Sequence, residues 1–164
     1  MKKILVSYLA VVALLMFTGC PVGVNYPPGT PGTEKIDKKL LGTWSNNEED
    51  PEVRKVTISK ADEYTYNVEV MEKGSLFTPE TDFFKGFITK IEGKEFVYFL
   101  ENKDSGQYYL YSYKFEEGAL KTYDVGLKVG GIDAVTSTEA FRKEIKASLK
   151  MEDCLTGEIV WMKE

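Results

Sequence analysis

Apolar and polar side chains alternate with a period of two through much of this chain, and short turns, several bearing glycine, interrupt the alternation. Tyr64, Tyr66, Val68 and Val70 share one face, opposite Thr65, Asn67 and Glu69. Tyr109, Tyr111, Tyr113 and Phe115 share another. Successive strand residues point to opposite sides, so each such run has one face to bury. The predicted strands are Leu41–Ser45, Val53–Ser59, Tyr64–Met71, Phe83–Ile91, Glu95–Glu101, Gln107–Phe115, Ala119–Val125 and Leu155–Lys163. Turns at Glu92-Gly93, Asn102–Gly106 and Glu116–Gly118 make the middle strands consecutive antiparallel hairpins. Glu95–Glu101 (EFVYFLE) is apolar on both faces.

One segment departs from that period. In Thr136–Lys150, Phe141, Ile145 and Leu149 fall at i, i+4 and i+8, the stripe of an amphipathic helix. Thr136 and Glu139 have the spacing of a capping box. The helix is expected on the outside of the sheet with its charged face in solvent. The fold class is therefore mainly β: an eight-stranded antiparallel up-and-down meander or barrel, with one amphipathic helix before the last strand. Eight strands enclose an interior just wide enough for side chains or one small ligand.

The N-terminus reads as an address. Lys2 and Lys3 precede the uncharged run Ile4–Gly19, which is shorter than the ~20 residues a membrane-spanning helix needs. Residues 1–19 are expected to be a cleaved export signal. Phe17-Thr18-Gly19-Cys20 resembles the lipobox of bacterial lipoproteins, although Phe17 stands where Leu is usual. The resemblance implies a lipid (a diacylglyceryl thioether and an amide-linked chain such as palmitate) on Cys20, and so a membrane as partner. Pro21 follows where the inner-membrane retention pattern has Asp, which favours the outer membrane of a diderm envelope. Residues 20–35 hold four of the six prolines and three glycines, which suit neither a helix nor a central strand. They read as a semi-extended tether of up to ~45 Å. Residues 36–164 form the domain.

Composition narrows the chemistry. There is no histidine among 164 residues, so the Ser-His-Asp and Cys-His nucleophile systems and His-ligated metals are excluded. A formal charge of −5, or −7 once Lys2 and Lys3 leave with the signal, argues against nucleic acid as a partner. Cys154 has no partner once Cys20 is acylated, and reads as a buried structural thiol. Carboxylate runs at Glu48–Asp50 and Glu116-Glu117 fall in turns, where solvated charge is the plain reading. Asn46–Asp50 lacks the spacing and glycine of an EF-hand loop, so no metal site is expected. No cofactor and no enzymatic activity are expected.

Gly42-Thr43-Trp44 matches the G-x-W of the lipocalin first strand, and with the meander and late helix the chain resembles the lipocalin-like (calycin) proteins. The resemblance implies that Trp44 closes one end of the barrel. The family packs an Arg from near the C-terminus on that Trp; here the last strand offers Lys163. The family's Thr-Asp-Tyr motif is lacking, since Thr122-Tyr123-Asp124 has another order. Eight of the ten tyrosines lie between Tyr64 and Tyr123. Tyrosine needs a hydrogen-bond partner when buried, so such a face suits a wet cavity, a docking surface or a ligand-stacking wall; cross-strand aromatic pairing alone also explains it. The expected function is a monomeric barrel binding a small apolar or amphipathic ligand. Trp44, Tyr64, Tyr66, Tyr98, Tyr109, Tyr111 and Tyr113 are its expected lining, and the loops Glu72–Thr81 and Gly126–Asp133 its rim. The alternative is a filled barrel docking an envelope protein or polysaccharide, as in the small barrel-shaped lysozyme inhibitors of bacterial envelopes. Barrel interior volume separates the two.

Overall fold

The computed structural model describes residues 23–46, 48–49, 51, 53–73, 79–102 and 106–164. The expected signal peptide and Cys20 lie outside them. Eight strands close into one antiparallel barrel in sequence order: β1 (Gly42–Asn46), β2 (Val53–Lys60), β3 (Tyr66–Glu72), β4 (Glu80–Ile91), β5 (Lys94–Glu101), β6 (Tyr108–Glu116), β7 (Ala119–Val125) and β8 (Leu155–Lys163). The seam pairs the first strand with the last, Trp44 opposite Lys163 and Asn46 opposite Trp161. Closure leaves no unpaired edge. The helix α1 (Thr138–Ser148) precedes β8, as expected.

The alternation decides which side chains point inward. Trp44, Ile58, Val68, Val97, Tyr113, Leu120 and Trp161 form the interior core. The outer wall of β2 and β3 carries Lys55, Thr57, Ser59, Asn67 and Glu69. An apolar inside under a polar outside is the reverse of a membrane-spanning barrel. β5 is apolar on both faces because both are covered. Val97 and Phe99 face the interior, while Phe96 and Tyr98 lie in a second core under α1 with Phe87, Ile91, Phe141 and Ile145. Phe141 and Ile145 are almost fully buried there, each worth roughly 1.5–3 kcal/mol of hydrophobic transfer.

Several element ends differ from expectation: β4 begins at Glu80, three residues before Phe83, and the helix ends at Ser148, two before Lys150. The helix N-cap is Ser137, whose hydroxyl accepts from Ala140 N at 3.1 Å, so the helix begins two residues after Thr136. β3 begins at Tyr66, not Tyr64. The backbone of Ala61 and Asp62 donates to Thr65 O, and Asp62 Oδ1 accepts from Tyr64 N at 2.7 Å, which folds Tyr64 into the β2–β3 turn.

The strand order fixes two ends of the barrel. The base is closed by the 3-10 turn Lys38–Leu40: Trp44 Nε1 donates to Leu40 O at 2.8 Å, and Tyr66 Oη to Asp37 O at 3.0 Å. Lys163 lies over the Trp44 ring, 5.1 Å from its centroid, and donates to Leu41 O. The other end is the mouth, where β3 ends, β4 begins, β5 ends and β6 begins.

Residues 23–35 do not stand away from the domain as a spacer. Val24 is buried and exchanges both backbone hydrogen bonds with Tyr108 (3.0 and 2.8 Å). Pro28 O accepts from Arg142 Nη1 at 2.7 Å, and Glu34 Oε1 accepts from Thr89 Oγ1 at 2.9 Å. Proline and glycine rule out a helix and a central strand, and leave free an extended segment laid along a wall.

Candidate functional site

The barrel holds a cavity of about 290 Å³ that opens at the mouth. Trp44, Tyr113, Leu120 and Trp161 line its lower part, above Leu40. Val56, Val70, Val97 and Ile159 line the middle, and Phe84, Phe99 and Tyr111 the upper wall. Glu72, Asp82, Glu101 and Tyr109 stand at the mouth, where their strands begin or end. Among the described residues, the charged groups on the lining are these three carboxylates.

One wall is an aromatic ladder. Phe84 meets Tyr109 edge-on at 6.2 Å and Phe99 at 6.3 Å; Phe99 meets Tyr111 at 5.8 Å; Tyr113 and Trp44 each meet Phe115, at 6.2 and 6.0 Å. These spacings suit tilted and edge-to-face pairs, which stiffen a wall without filling the space in front of it. Gly86 lets the neighbouring side chains close in: a Cβ there would lie 3.1 Å from Val68 and 3.3 Å from Phe99.

Electrostatically the interior is quiet. Burial pushes the phenols of Tyr66, Tyr98, Tyr111 and Tyr113 well above their ordinary range, so all four stay neutral at physiological pH. The Tyr113 hydroxyl is buried without a hydrogen-bond partner, and so is that of Tyr98. Trp161 Nε1 donates to Thr122 Oγ1 at 2.8 Å. Asp124, inward on β7, has its carboxyl pushed up by burial.

Of the residues expected to line a site, Trp44, Tyr109, Tyr111 and Tyr113 lie together on the cavity wall. Tyr66 belongs to the same core, at the base, with its hydroxyl tied to Asp37. Tyr98 faces the other way. It stacks on Phe87 at 5.3 Å in the core under α1, because the odd positions 97 and 99 take the inward face of β5. Tyr64 sits in the turn at the base, away from the cavity. Cys20 lies outside the described residues. Phe84, Phe99 and Trp161 line the cavity and were not expected there. Trp161 had a signal, since it shares a face with Ile159; Phe83-Phe84 and EFVYFLE offer apolar residues of both parities, so their sequence gives no side.

Of the expected rim, Glu72 is on the lining and residues 74–78 lie outside the described ones. The Gly126–Asp133 loop leaves β7 at the mouth end and is pinned from α1. Glu144 is only 5% exposed, and its Oε1 accepts from Val129 N and Gly130 N (2.9 Å each) and from Ser148 Oγ (3.1 Å). Burial opposes that charge, but the Gly130 and Val129 amides outweigh it and hold the carboxyl below its ordinary range. Cys154 is a buried free thiol, pushed up by burial, with Sγ 3.5 Å from Gly126 O.

Compared against known proteins, the chain matches no family model, no curated protein and no solved structure.

Proposed function

We propose that this chain is an exported protein, lipid-anchored at Cys20, whose lipocalin-like barrel holds a small apolar or amphipathic ligand without transforming it. The observation that carries the binding reading is the cavity of about 290 Å³, open at one end and walled by aliphatic and aromatic side chains. Its size stands at the lower bound of ligand sites, ~300–1,000 Å³, and its lining has their chemistry: mostly apolar, with a few polar groups at one end. A filled docking barrel fits this interior less well.

Lys163 over Trp44 supports the lipocalin-like reading, since a cation from the last strand packs on the ring that helps close the base. The anchor reading rests on Lys2-Lys3, the uncharged run and Thr18-Gly19-Cys20, and Pro21 points to the outer membrane where the envelope has one. The non-catalytic reading rests on phenols held neutral and carboxylates at the mouth, away from the deep part of the cavity.

Native mass spectrometry of the delipidated domain, residues 23–164 purified from its own host, tests the binding reading. A co-purifying molecule of a few hundred daltons, lost on Val70→Phe, is the expected result. Repeatedly empty spectra, with no uptake of added single-chain amphiphiles, reject the reading. For the anchor, Cys20→Ala is expected to abolish incorporation of labelled palmitate; unchanged labelling rejects it.

A further inference from the structure

Charge is distributed unevenly along the cavity. Its lower and middle lining carries none, while its mouth carries Glu72, Asp82 and Glu101. Among the described residues no lysine or arginine lines it. A fourth carboxylate faces the same space from β7. Asp124 stands directly opposite Tyr111, which is in the upper wall. Residues directly opposite in an antiparallel pair share a face. Burial first, then Asp124, Tyr109 and Glu72, push the Tyr111 phenol up, so acids bear on that ring from both β7 and β3.

The four acids are not equivalent. Glu72 and Glu101 have interactions of their own. Among the described residues, no side-chain hydrogen bond or ion pair falls to Asp82 or Asp124. Asp124 is partly buried, and burial alone pushes its carboxyl up, with no cation to pull it back. Its Oδ2 lies beside Gly157, where a Cβ would stand 2.7 Å away, so no side chain covers it from that position. A partly dry carboxylate without a counter-charge is unfavourable, and a positively charged ligand head supplies one. The rings favour the same sign. Phe84 and Tyr111 in the upper wall and Tyr109 at the mouth offer aromatic faces, which attract cations and quaternary ammonium above all. An anionic head meets like charge in the same place. The cavity makes the site; acids and rings set the charge of its occupant.

We propose that the cavity selects cationic amphiphiles, with an ammonium head held at the mouth by Asp82 and Asp124 against the Tyr109 and Tyr111 rings and an apolar tail in the shaft below. This rests on the ligand-binding reading above and is independent of the anchor.

The test uses the chain from Cys20 onward, with Cys20→Ala to leave it unacylated. Decyltrimethylammonium, decanol and decanoate share one tail and differ in charge, so a difference among them belongs to the head. Each is titrated below its micellar concentration, following the chain's two tryptophans, Trp44 and Trp161, which both line the cavity. The cation is expected to bind about tenfold tighter than decanol, and decanoate more weakly than either. Ile159→Phe is expected to weaken all of them. Asp82→Asn with Asp124→Asn is expected to bring the cation close to decanol and to leave decanol unchanged, which also reports that the variant is folded. If that double variant loses decanol as well, the two single variants are read instead, each expected to lose several-fold of the preference. Glu139→Gln with Glu152→Gln removes the same charge from exposed positions and is expected to keep the preference. Equal binding of cation and decanol, or tightest binding of decanoate, overturns the proposal and leaves the ligand-binding reading standing. A preference that survives both aspartate changes, or that falls equally with Glu139 and Glu152, overturns it too, since surface charge is then its source. No binding of any of the probes rejects the ligand-binding reading and the proposal with it.

Discussion

Single residues at two places carry more of this fold than their exposure on the page of a sequence suggests. Glu144 accepts three hydrogen bonds from a nearly dry position and fastens the Val129-Gly130 backbone to the helix. Glu144→Ala leaves two amides without their acceptor and is expected to cost roughly 2–3 kcal/mol, read as a lowered thermal midpoint. The sign with pH is fixed. The folded carboxyl titrates below the unfolded one, so its contribution is complete above the ordinary glutamate range and is lost as pH falls through the folded value. Denaturant titrations from pH 7 downward are expected to show a smaller acid loss in Glu144→Gln than in the parent; an unchanged acid slope rejects the role. Gly157 is the second place. It has φ +60, and a Cβ there would lie 2.7 Å from Asp124 Oδ2. Gly93 has φ +76 with open space around it. Gly157→Ala is therefore expected to destabilise by more than Gly93→Ala, which costs only the ~1–2 kcal/mol of left-handed backbone. Combining Gly157→Ala with Asp124→Ser is expected to recover the difference.

At the scale of elements, most strands were readable because their outer face is wet, which preserves the alternation. β2, β6, β7 and β8 fall within a residue of their expected ends. β5 is the instructive case: its two covered faces erase the period, and Tyr98 was consequently placed in the cavity when it belongs under the helix. The strap, residues 23–35 laid along the wall, illustrates a different limit. Its prolines and glycines say which regular structures are closed to it, and nothing about Arg142, 114 residues away, donating to Pro28 O. Arg142 also donates to Thr89 Oγ1 at 3.0 Å and Lys90 O at 2.9 Å, joining helix, strap and β4 through one guanidinium. Arg142→Ala is expected to release the strap locally. Limited proteolysis within residues 23–35 should accelerate several-fold while the barrel's unfolding midpoint falls by less than with Ile145→Ala, which empties a fully buried site and costs ~2–5 kcal/mol.

For the whole molecule, the cavity and the core are one continuous interior, and this gives a clean way to separate stability from binding. Val70→Phe or Ile159→Phe adds bulk where the barrel is hollow. Either is expected to leave the unfolding free energy within about 1–3 kcal/mol of the parent, the usual cost of added volume. Ligand uptake is expected to weaken at least tenfold; undiminished uptake places the ligand elsewhere. The candidate site was half legible for the same reason. The tyrosine row of β6 declared its face by spacing, whereas the opposite wall, with Phe84 and Phe99, is set by strand register that local sequence does not encode. The β1–β8 seam has one more consequence. It joins residues near the start of the domain to its last ones, Trp44 to Lys163, so the ring cannot shut until the final strand is delivered. Folding is then governed by the most distant contact in the chain, a slow topology in which β1 and β7 wait as open edges. A chain stopped at Cys154 keeps both edges permanently and is expected to associate edge to edge with its own copies instead of folding alone.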